Sequence, residues 1–247
     1  MAFDTYLNKP SNSLWEELGW EPSEKQLKQF LDLQRLLLYW NQRVNLTRLT
    51  EGDDYWVGQI FDSLWPFKEV LNKSTSKQRI IDVGTGCGLP GLAIAIARPN
   101  VDLTLVDAIR RKSSALEQIT IELGLQSRVS IRNERIEITG QNISYRGQFD
   151  YATARAVATA PTTAEYLVPF LKKGGEALLY RGKWNQLDEE ELLAAIAPLK
   201  AIITKTNRKT LPKGKGSRTV IHLSQGEDCP AKYPRPIGIP AKRPLGN

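Results

Sequence analysis

Two carboxylates and a run of glycines stand where a ligand site could be built. Residues 80–91 read IIDVGTGCGLPG, with Asp82 closing an apolar stretch and Gly84, Gly86 and Gly88 following at every second position. Glycines at such a turn admit positive φ and let a ligand come up against the backbone. The start of the next helix offers free N–H groups to an acceptor. Gly86-Cys87-Gly88-Leu89-Pro90-Gly91 also satisfies G-x-G-x-x-G, the dinucleotide fingerprint, so glycine spacing alone admits two cofactors. Asp82 tilts the choice, because a carboxylate just ahead of the loop suits an ammonium or a sulfonium and suits a pyrophosphate poorly. Asp107 ends the next apolar run, TLVD, where an acid can accept both hydroxyls of a ribose.

Adenosine at one end and a cation at the other describe S-adenosylmethionine, and methyl transfer from it needs in-line geometry more than acid–base help. An NAD(P)-binding oxidoreductase on the same loop is the alternative, although no hydride-transfer acid or base can be picked out. A noncatalytic RNA-binding protein that kept the fold is a third reading. The acceptor atom is argued by absence. Methylation of a pyrimidine C5 requires a cysteine nucleophile, yet Cys87 lies in the glycine loop and Cys229 in a proline-rich tail. Methylation of exocyclic amines commonly uses an Asn/Asp-Pro-Pro-aromatic motif, where this chain has Ala152-Thr153-Ala154-Arg155. A ring nitrogen with a free lone pair, such as guanine N7, needs neither. Arg155, at a strand end, could hold a cofactor carboxylate or a substrate phosphate. The lone His222 sits in an alternating strand and reads as a strand residue.

These groups need a strand–loop–helix frame, and from residue 79 onward the pattern supplies one. Strands are expected at 79–83, 103–106, 128–131, 149–153, 176–180, 201–205 and 218–223. Helices are expected at 89–98, 110–123, 160–171 and 188–197. Such alternation implies a mostly parallel sheet covered on both faces, with the last two strands forming an antiparallel hairpin at its edge. Before residue 79 the reading is helical. Ser23 and Gln26 form a capping box for a helix to about Trp40, and a second helix covers 53–70, ended early or kinked by Pro66. The tail, 225–247, carries five prolines and is expected to form neither helix nor central strand, but to be extended, docked or disordered.

Of 247 residues, 41% are apolar and 25% charged, which fits an α/β domain with a modest extension. No apolar run reaches the ~18–20 residues of a membrane span. The N-terminus lacks a basic patch followed by an apolar stretch, so no signal peptide is expected. Two distant cysteines form no metal or disulfide pattern, and a cytoplasmic protein without metal is expected. The net charge of +7 divides unevenly: −2 over residues 1–77, +1 over 78–200 and +8 over 201–247. A localised basic stretch attracts polyanions such as nucleic acid; a solvated charged terminus is the competing reading. Lys213, Lys215 and Arg218, in a loop between the last two strands, could grip a phosphate backbone.

Four segments carry a resemblance: WNQRVNLT at 40–47, DSL at 62–64, IDVGTGCGLPG at 81–91, and Ala154-Arg155-Ala156. They resemble the RsmG family, also called GidB, of bacterial 16S rRNA guanine-N7 methyltransferases, over about residues 24–223. The resemblance implies a Rossmann-like class I methyltransferase fold, with a mostly parallel seven-stranded sheet (78–224) behind an N-terminal helical segment (1–77) and ahead of the tail (225–247). It implies S-adenosylmethionine as cofactor and 16S rRNA, free or in a small-subunit precursor, as partner; a monomer is expected. Cofactor contacts then fall on Gly84 and Leu89, on Asp107, Ala108 and Ile109, on Ile136 and Glu137 beside the adenine, and on Arg155; the reading of the loop itself adds Asp82 and Gly86. No catalytic residue is assigned. The chain departs from the family at Gln59, where members often carry histidine, so catalysis here cannot depend on an imidazole at that position.

Overall fold

The computed structural model describes residues 9–73 and 76–246; the first eight residues of the segment read for a signal peptide lie outside them. Helix α1 (Asn12–Leu18) and helix α2 (Glu24–Asn41) open the chain. The expected capping box is present on α2: Gln26 N–H donates to Ser23 Oγ at 3.3 Å, and Ser23 N–H donates to Gln26 Oε1 at 2.9 Å. A continuous helical run follows, built of α3 (Gly52–Tyr55), a π-helical turn (Trp56–Phe61), α4 (Asp62–Leu64), a 3-10 turn (Trp65–Phe67) and α5 (Lys68–Leu71). Pro66 does not end the run. It sits in the 3-10 turn, where its missing N–H is tolerated.

Seven strands make one sheet: β1 (Gln78–Val83), β2 (Val101–Val106), β3 (Val129–Arg132), β4 (Phe149–Arg155), β5 (Leu171–Arg181), β6 (Ala201–Thr210) and β7 (Ser217–Gln225). Their order is β3-β2-β1-β4-β5-β7-β6. The first five strands run parallel, while β7 is antiparallel to β5 and to β6. The chain thus has the expected Rossmann-like class I methyltransferase topology, with the hairpin at one edge. Helices α6 (Gly91–Ala97), α7 (Arg110–Glu122), α8 (Ile136–Gln141), α9 (Ala160–Leu167) and α10 (Gln186–Ile196) fill the connections. The central strands are buried on both faces, which is why they read as apolar runs rather than alternations. The N-terminal helices share a core with one face of the sheet: buried Leu14, Phe30, Ile60 and Leu64 belong to one cluster with Ile80, Leu105 and Val220. Among the described residues, no helix is long and apolar enough to cross a membrane.

Boundaries shift where proline or glycine intervenes. The helix expected from residue 89 begins at Gly91, with Pro90 as its N-cap, so Leu89 belongs to the loop. The helix expected to reach 171 stops at Leu167, ahead of a 3-10 turn containing Pro169, and the strand expected from 176 starts at Leu171. Helices α1 and α8 lack a long periodic pattern and escape sequence reading. The tail corrects one expectation: α11 (Ile239–Lys242) forms a single turn inside it, with Pro240 in the first turn, where the absent N–H costs nothing.

Candidate active site

The sheet order reverses between β1 and β4, which pair with Asp82 opposite Thr153. Their connections leave to opposite sides, and a crevice opens beyond their carboxyl ends. A cavity of about 770 Å³ occupies it. One wall is the glycine loop, and a second comes from the N-terminal helical segment and the ends of β4, β5 and β7.

Gly84, Gly86 and Gly88 take φ of 60, 58 and 90°, a region that favours glycine. A Cβ on Gly84 would stand 2.8 Å from the Val157 side chain. One on Gly86 would meet nothing closer than 3.9 Å. The loop's backbone lies open to the cavity there, and Gly84, Gly86 and Leu89 all line it. Asp82 does not. Fully buried, it accepts from Thr85 Oγ1 at 2.6 Å, Gly91 N–H at 3.1 Å and Thr153 Oγ1 at 2.9 Å. Burial pushes its pKa up to about 6, against the opposing pull of those hydrogen bonds. The expectation that Asp82 meets a ligand's cationic end is therefore corrected: its carboxylate staples the loop to α6 from beneath.

Asp107 is held from both sides. Its Oδ2 accepts from Gly86 N–H at 2.9 Å and its Oδ1 from Ile109 N–H at 2.8 Å. Each oxygen keeps acceptor capacity, so the carboxylate is fixed yet can take two more donors, which fits a vicinal diol. Ile109, 51% exposed, offers an apolar surface beside it, with Ala108 also exposed. These three residues, like Ile136 and Glu137, lie off the cavity wall. Ile136 is buried at the start of α8. The Glu137 side chain is fully engaged. Its Oε1 accepts from Arg135 Nη2 at 2.9 Å, Tyr166 Oη at 3.3 Å and Gly238 N–H at 2.9 Å. Burial opposes its charge, but Arg135 and the Gly238 N–H outweigh that and hold its pKa below the ordinary value. The carboxylate is committed to Arg135, Tyr166 and the tail's Gly238, which leaves its backbone to face an adenine.

Arg155 lines the cavity in a network that sequence reasoning missed. Its Nη1 donates to Asp62 Oδ2 at 3.2 Å and to the Gly58 carbonyl at 3.4 Å, and its Nη2 donates to Gln59 Oε1. Arg218, reaching across from β7, donates from Nε to the same Asp62 oxygen at 3.4 Å. Gln59 Nε2 donates to Thr47 Oγ1 at 2.8 Å. Asn41 in turn accepts the N–H groups of Leu46 and Thr47. The π-helical turn aims Gly58 and Gln59 at the site, a placement typical of such turns. Ala156, next to Arg155, is held at φ 58°, a conformation costly for a residue with a Cβ. The segments 40–47 and 62–64 matched the family, but their spacing announced no chemistry; they act through contacts distant in sequence.

Two acidic groups on the wall are held protonated. Burial pushes the Cys87 thiol up, and burial with the nearby Asp62 charge pushes the Tyr180 phenol well up. His222 is a buried β7 residue, 3.2 Å from Glu176 and outside the cavity lining. Both cysteines are free and buried.

Half of the basic residues of the C-terminal region stand in ion pairs among the described residues. Lys205 pairs with Glu69, Lys209 with Glu17, Lys215 with Asp54 and Arg218 with Asp62. All four acids come from residues 1–77, so the net negative and net positive ends of the chain bind each other. Arg235 pairs with Glu165. Of the three expected RNA contacts, Arg218 lines the cavity and Lys215 anchors the hairpin loop; Lys213 is exposed, with no ion pair among the described residues.

Comparison with known proteins agrees with this architecture. The GidB family profile, described as rRNA small subunit methyltransferase G, matches residues 26–218. A Prochlorococcus marinus protein named Ribosomal RNA small subunit methyltransferase G is 54% identical over 239 residues, covering 97% of this chain and 94% of that protein. A Synechococcus protein of the same name is 53% identical, covering 95% and 92%. Among solved structures, the [4+2]-cyclase SpnF shares the fold at TM-score 0.54 and 15% identity, over 83% of this chain and 96% of that one. A Methanococcus maripaludis protein described as a putative S-adenosylmethionine-dependent methyltransferase does so at 0.50 and 14%, over 67% and 85%. At those identities the likeness is one of fold alone. The sequence relatives go further: this chain belongs to the GidB family, rRNA small subunit methyltransferase G.

Proposed function

We propose that the chain transfers a methyl group from S-adenosylmethionine to N7 of a guanine in 16S rRNA, in the cytoplasm, acting on the free RNA or a small-subunit precursor. The observation that carries the reading is the single cavity in which the glycine loop faces the Arg155–Asp62–Arg218 cluster. S-adenosylmethionine, when bound, supplies an electrophilic methyl group on a sulfonium that leaves as a neutral thioether.

The residues present suit that group. Asp107 is fixed with open acceptor sites for a ribose, Ile109 presents an apolar surface for a flat ring, and the Gly84–Leu89 loop brings bare backbone to the cavity. Guanine N7 attacks through an in-plane lone pair and loses no proton, so the wall needs to orient the base rather than deprotonate it. Cys87 and Tyr180, both held in their protonated forms, match that demand. Arg155 and Arg218 carry two positive charges on one carboxylate and leave the wall net cationic toward an incoming phosphodiester. Lys112, on the cavity lining, and the exposed Lys213 supply the outer grip.

The test is incubation with methyl-labelled S-adenosylmethionine and 16S rRNA, naked or ribosome-assembled, from a strain lacking the gene. Label recovered as 7-methylguanosine is expected. No incorporation into either RNA form overturns the reading.

A further inference from the structure

The proline-rich tail lies beyond the family match, which ends at residue 218, yet it is tied into the fold by an unusual density of polar contacts. Arg146 donates to the carbonyls of Cys229, Pro230 and Tyr233. Gln141, the last residue of α8, donates to the Pro234 carbonyl at 2.6 Å. Gly140 of α8 packs so closely on Pro234 that a Cβ there would stand 2.6 Å from it. Arg235 clamps Glu165 with Nε at 2.9 Å and Nη2 at 2.6 Å, and its own N–H adds a third bond at 2.8 Å. Glu165 has no solvent exposure, so the tail neutralises a carboxylate otherwise stranded in the interior, a severe penalty. Gly238 N–H then caps the Glu137 carboxylate.

Arg146 stands on the connection after α8 and Glu165 on α9, while three of the contacts fall on α8 itself. The tail touches α8 at its first turn through Glu137, near its end through Gly140, and at its last residue through Gln141. The segment leading into α8 reaches Asp107: Asp107 N–H donates to the Arg132 carbonyl at 3.2 Å, and Asn133 Nδ2 donates to the Asp107 carbonyl at 3.0 Å. Hydrogen bonds from the tail to α8, the covalent β3–α8 connection, and hydrogen bonds from that connection to the Asp107 backbone thus link the tail to the residue assigned to the ribose.

We propose that the docked tail is a positioning element for the nucleoside wall of the site, setting α8 and the Asn133–Asp107 contact in their binding geometry. The proposal rests on the cofactor reading above and adds to it a role for residues 226–246. Glu137, Glu165 and Arg235 are positioning residues: Glu137 acts from α8, and the Arg235–Glu165 clamp acts from α9, whose Tyr166 donates to Glu137 at 3.3 Å.

The test is titration of S-adenosylhomocysteine, and separately of adenosine, into the full chain and into an Arg235→Met/Glu165→Gln double variant. The double change frees the tail without stranding a buried charge. Both ligands should bind about tenfold more weakly, a typical coupling between linked sites, because the tail acts on the half of the ligand they share. A core truncation in the other hydrophobic cluster, Leu71→Ala, should lower Tm without moving either Kd. A chain cut after Gln225 should behave like the double variant if it folds. Kd values within twofold of wild type in the double variant, with Tm reduced, would show the tail to be only a stabiliser and overturn the proposal. Absence of S-adenosylhomocysteine binding by the wild type, or unchanged binding by Asp107→Ala, would remove the cofactor reading and this inference with it.

Discussion

The two walls of the cavity are held by different chemistry. On the loop side, carboxylates grip backbone: Asp82 takes the N–H of Gly91, and Asp107 takes those of Gly86 and Ile109. On the facing side, charged and amide side chains grip one another: Asp62 holds Arg155 and Arg218, and Gln59 joins Arg155 to Thr47. Backbone anchored by fixed carboxylates makes a rigid seat, suited to one unvarying ligand. A network of long side chains can yield a bond to an incoming group and recover it, which suits a polyanion that must enter and leave. The first wall is assigned to the cofactor and the second to the RNA.

The largest effect should come from breaking the second wall. Asp62→Ala leaves two guanidinium groups facing each other in a mostly buried site, and removal of one partner from such a cluster costs about 3–5 kcal/mol. Urea denaturation should show that loss; a change below about 1 kcal/mol would mean the network is a surface-type contact. On the first wall, Asp82 should make stability depend on pH. Its carboxyl is raised from 3.8 to about 6 by burial, so between those values the native state holds a proton that the unfolded chain has released. Its stabilising contribution is complete below 3.8 and is lost as pH rises through about 6. From pH 7 down to 4, the wild type should gain roughly 2–3 kcal/mol relative to Asp82→Asn. Parallel pH profiles for the two proteins would show that Asp82 is not buried as a carboxylate.

Asp107→Ala should weaken S-adenosylhomocysteine binding by about 1–3 kcal/mol, the loss of hydrogen bonds to a charged acceptor. Calorimetric titration reads this directly, and an unchanged affinity would mean the ribose lies elsewhere. The smallest effect belongs to the periphery. Lys215→Met breaks a partly exposed pair with Asp54 and should cost under about 1 kcal/mol of stability. If it also weakens RNA binding several-fold at fixed ionic strength, then Lys215 exchanges Asp54 for phosphate when RNA arrives.

Much of the first wall was legible in the sequence because it is local. A strand, a glycine turn and a helix declare themselves within 80–91, and Asp107 ends the next strand. What local pattern cannot tell is which way a carboxylate faces. Asp82 and Asp107 occupy similar strand-end positions, yet one is sealed beneath the loop with three hydrogen bonds and the other keeps 8% exposure with one N–H on each oxygen. The second wall was illegible because Gln59, Asp62, Arg155 and Arg218 are brought together only by the tertiary fold, through a π-helical turn with no sequence signature. The charge profile agreed with a nucleic-acid partner but hid how much of the excess is paired, for the same reason. An excess of lysine and arginine after residue 200 is visible in composition, but its pairing with acids of the N-terminal helices is a property of the folded chain. The tail could be read as unable to form long regular structure, and its contacts in the fold, the Arg235 clamp on buried Glu165 and the bonds to Arg146 and Gln141 among them, show that it is part of the domain.

The division of labour between the walls is tested most directly by one paired measurement. S-adenosylhomocysteine affinity and labelled methyl transfer to 16S rRNA are determined side by side for Asp62→Asn and Asp107→Ala. The expected result is a crossed pattern: Asp62→Asn keeps the affinity and loses methyl transfer at saturating cofactor, whereas Asp107→Ala loses affinity and recovers transfer as cofactor is raised. Equal loss of S-adenosylhomocysteine affinity in both variants would contradict the assignment of one wall to the cofactor and the other to the RNA.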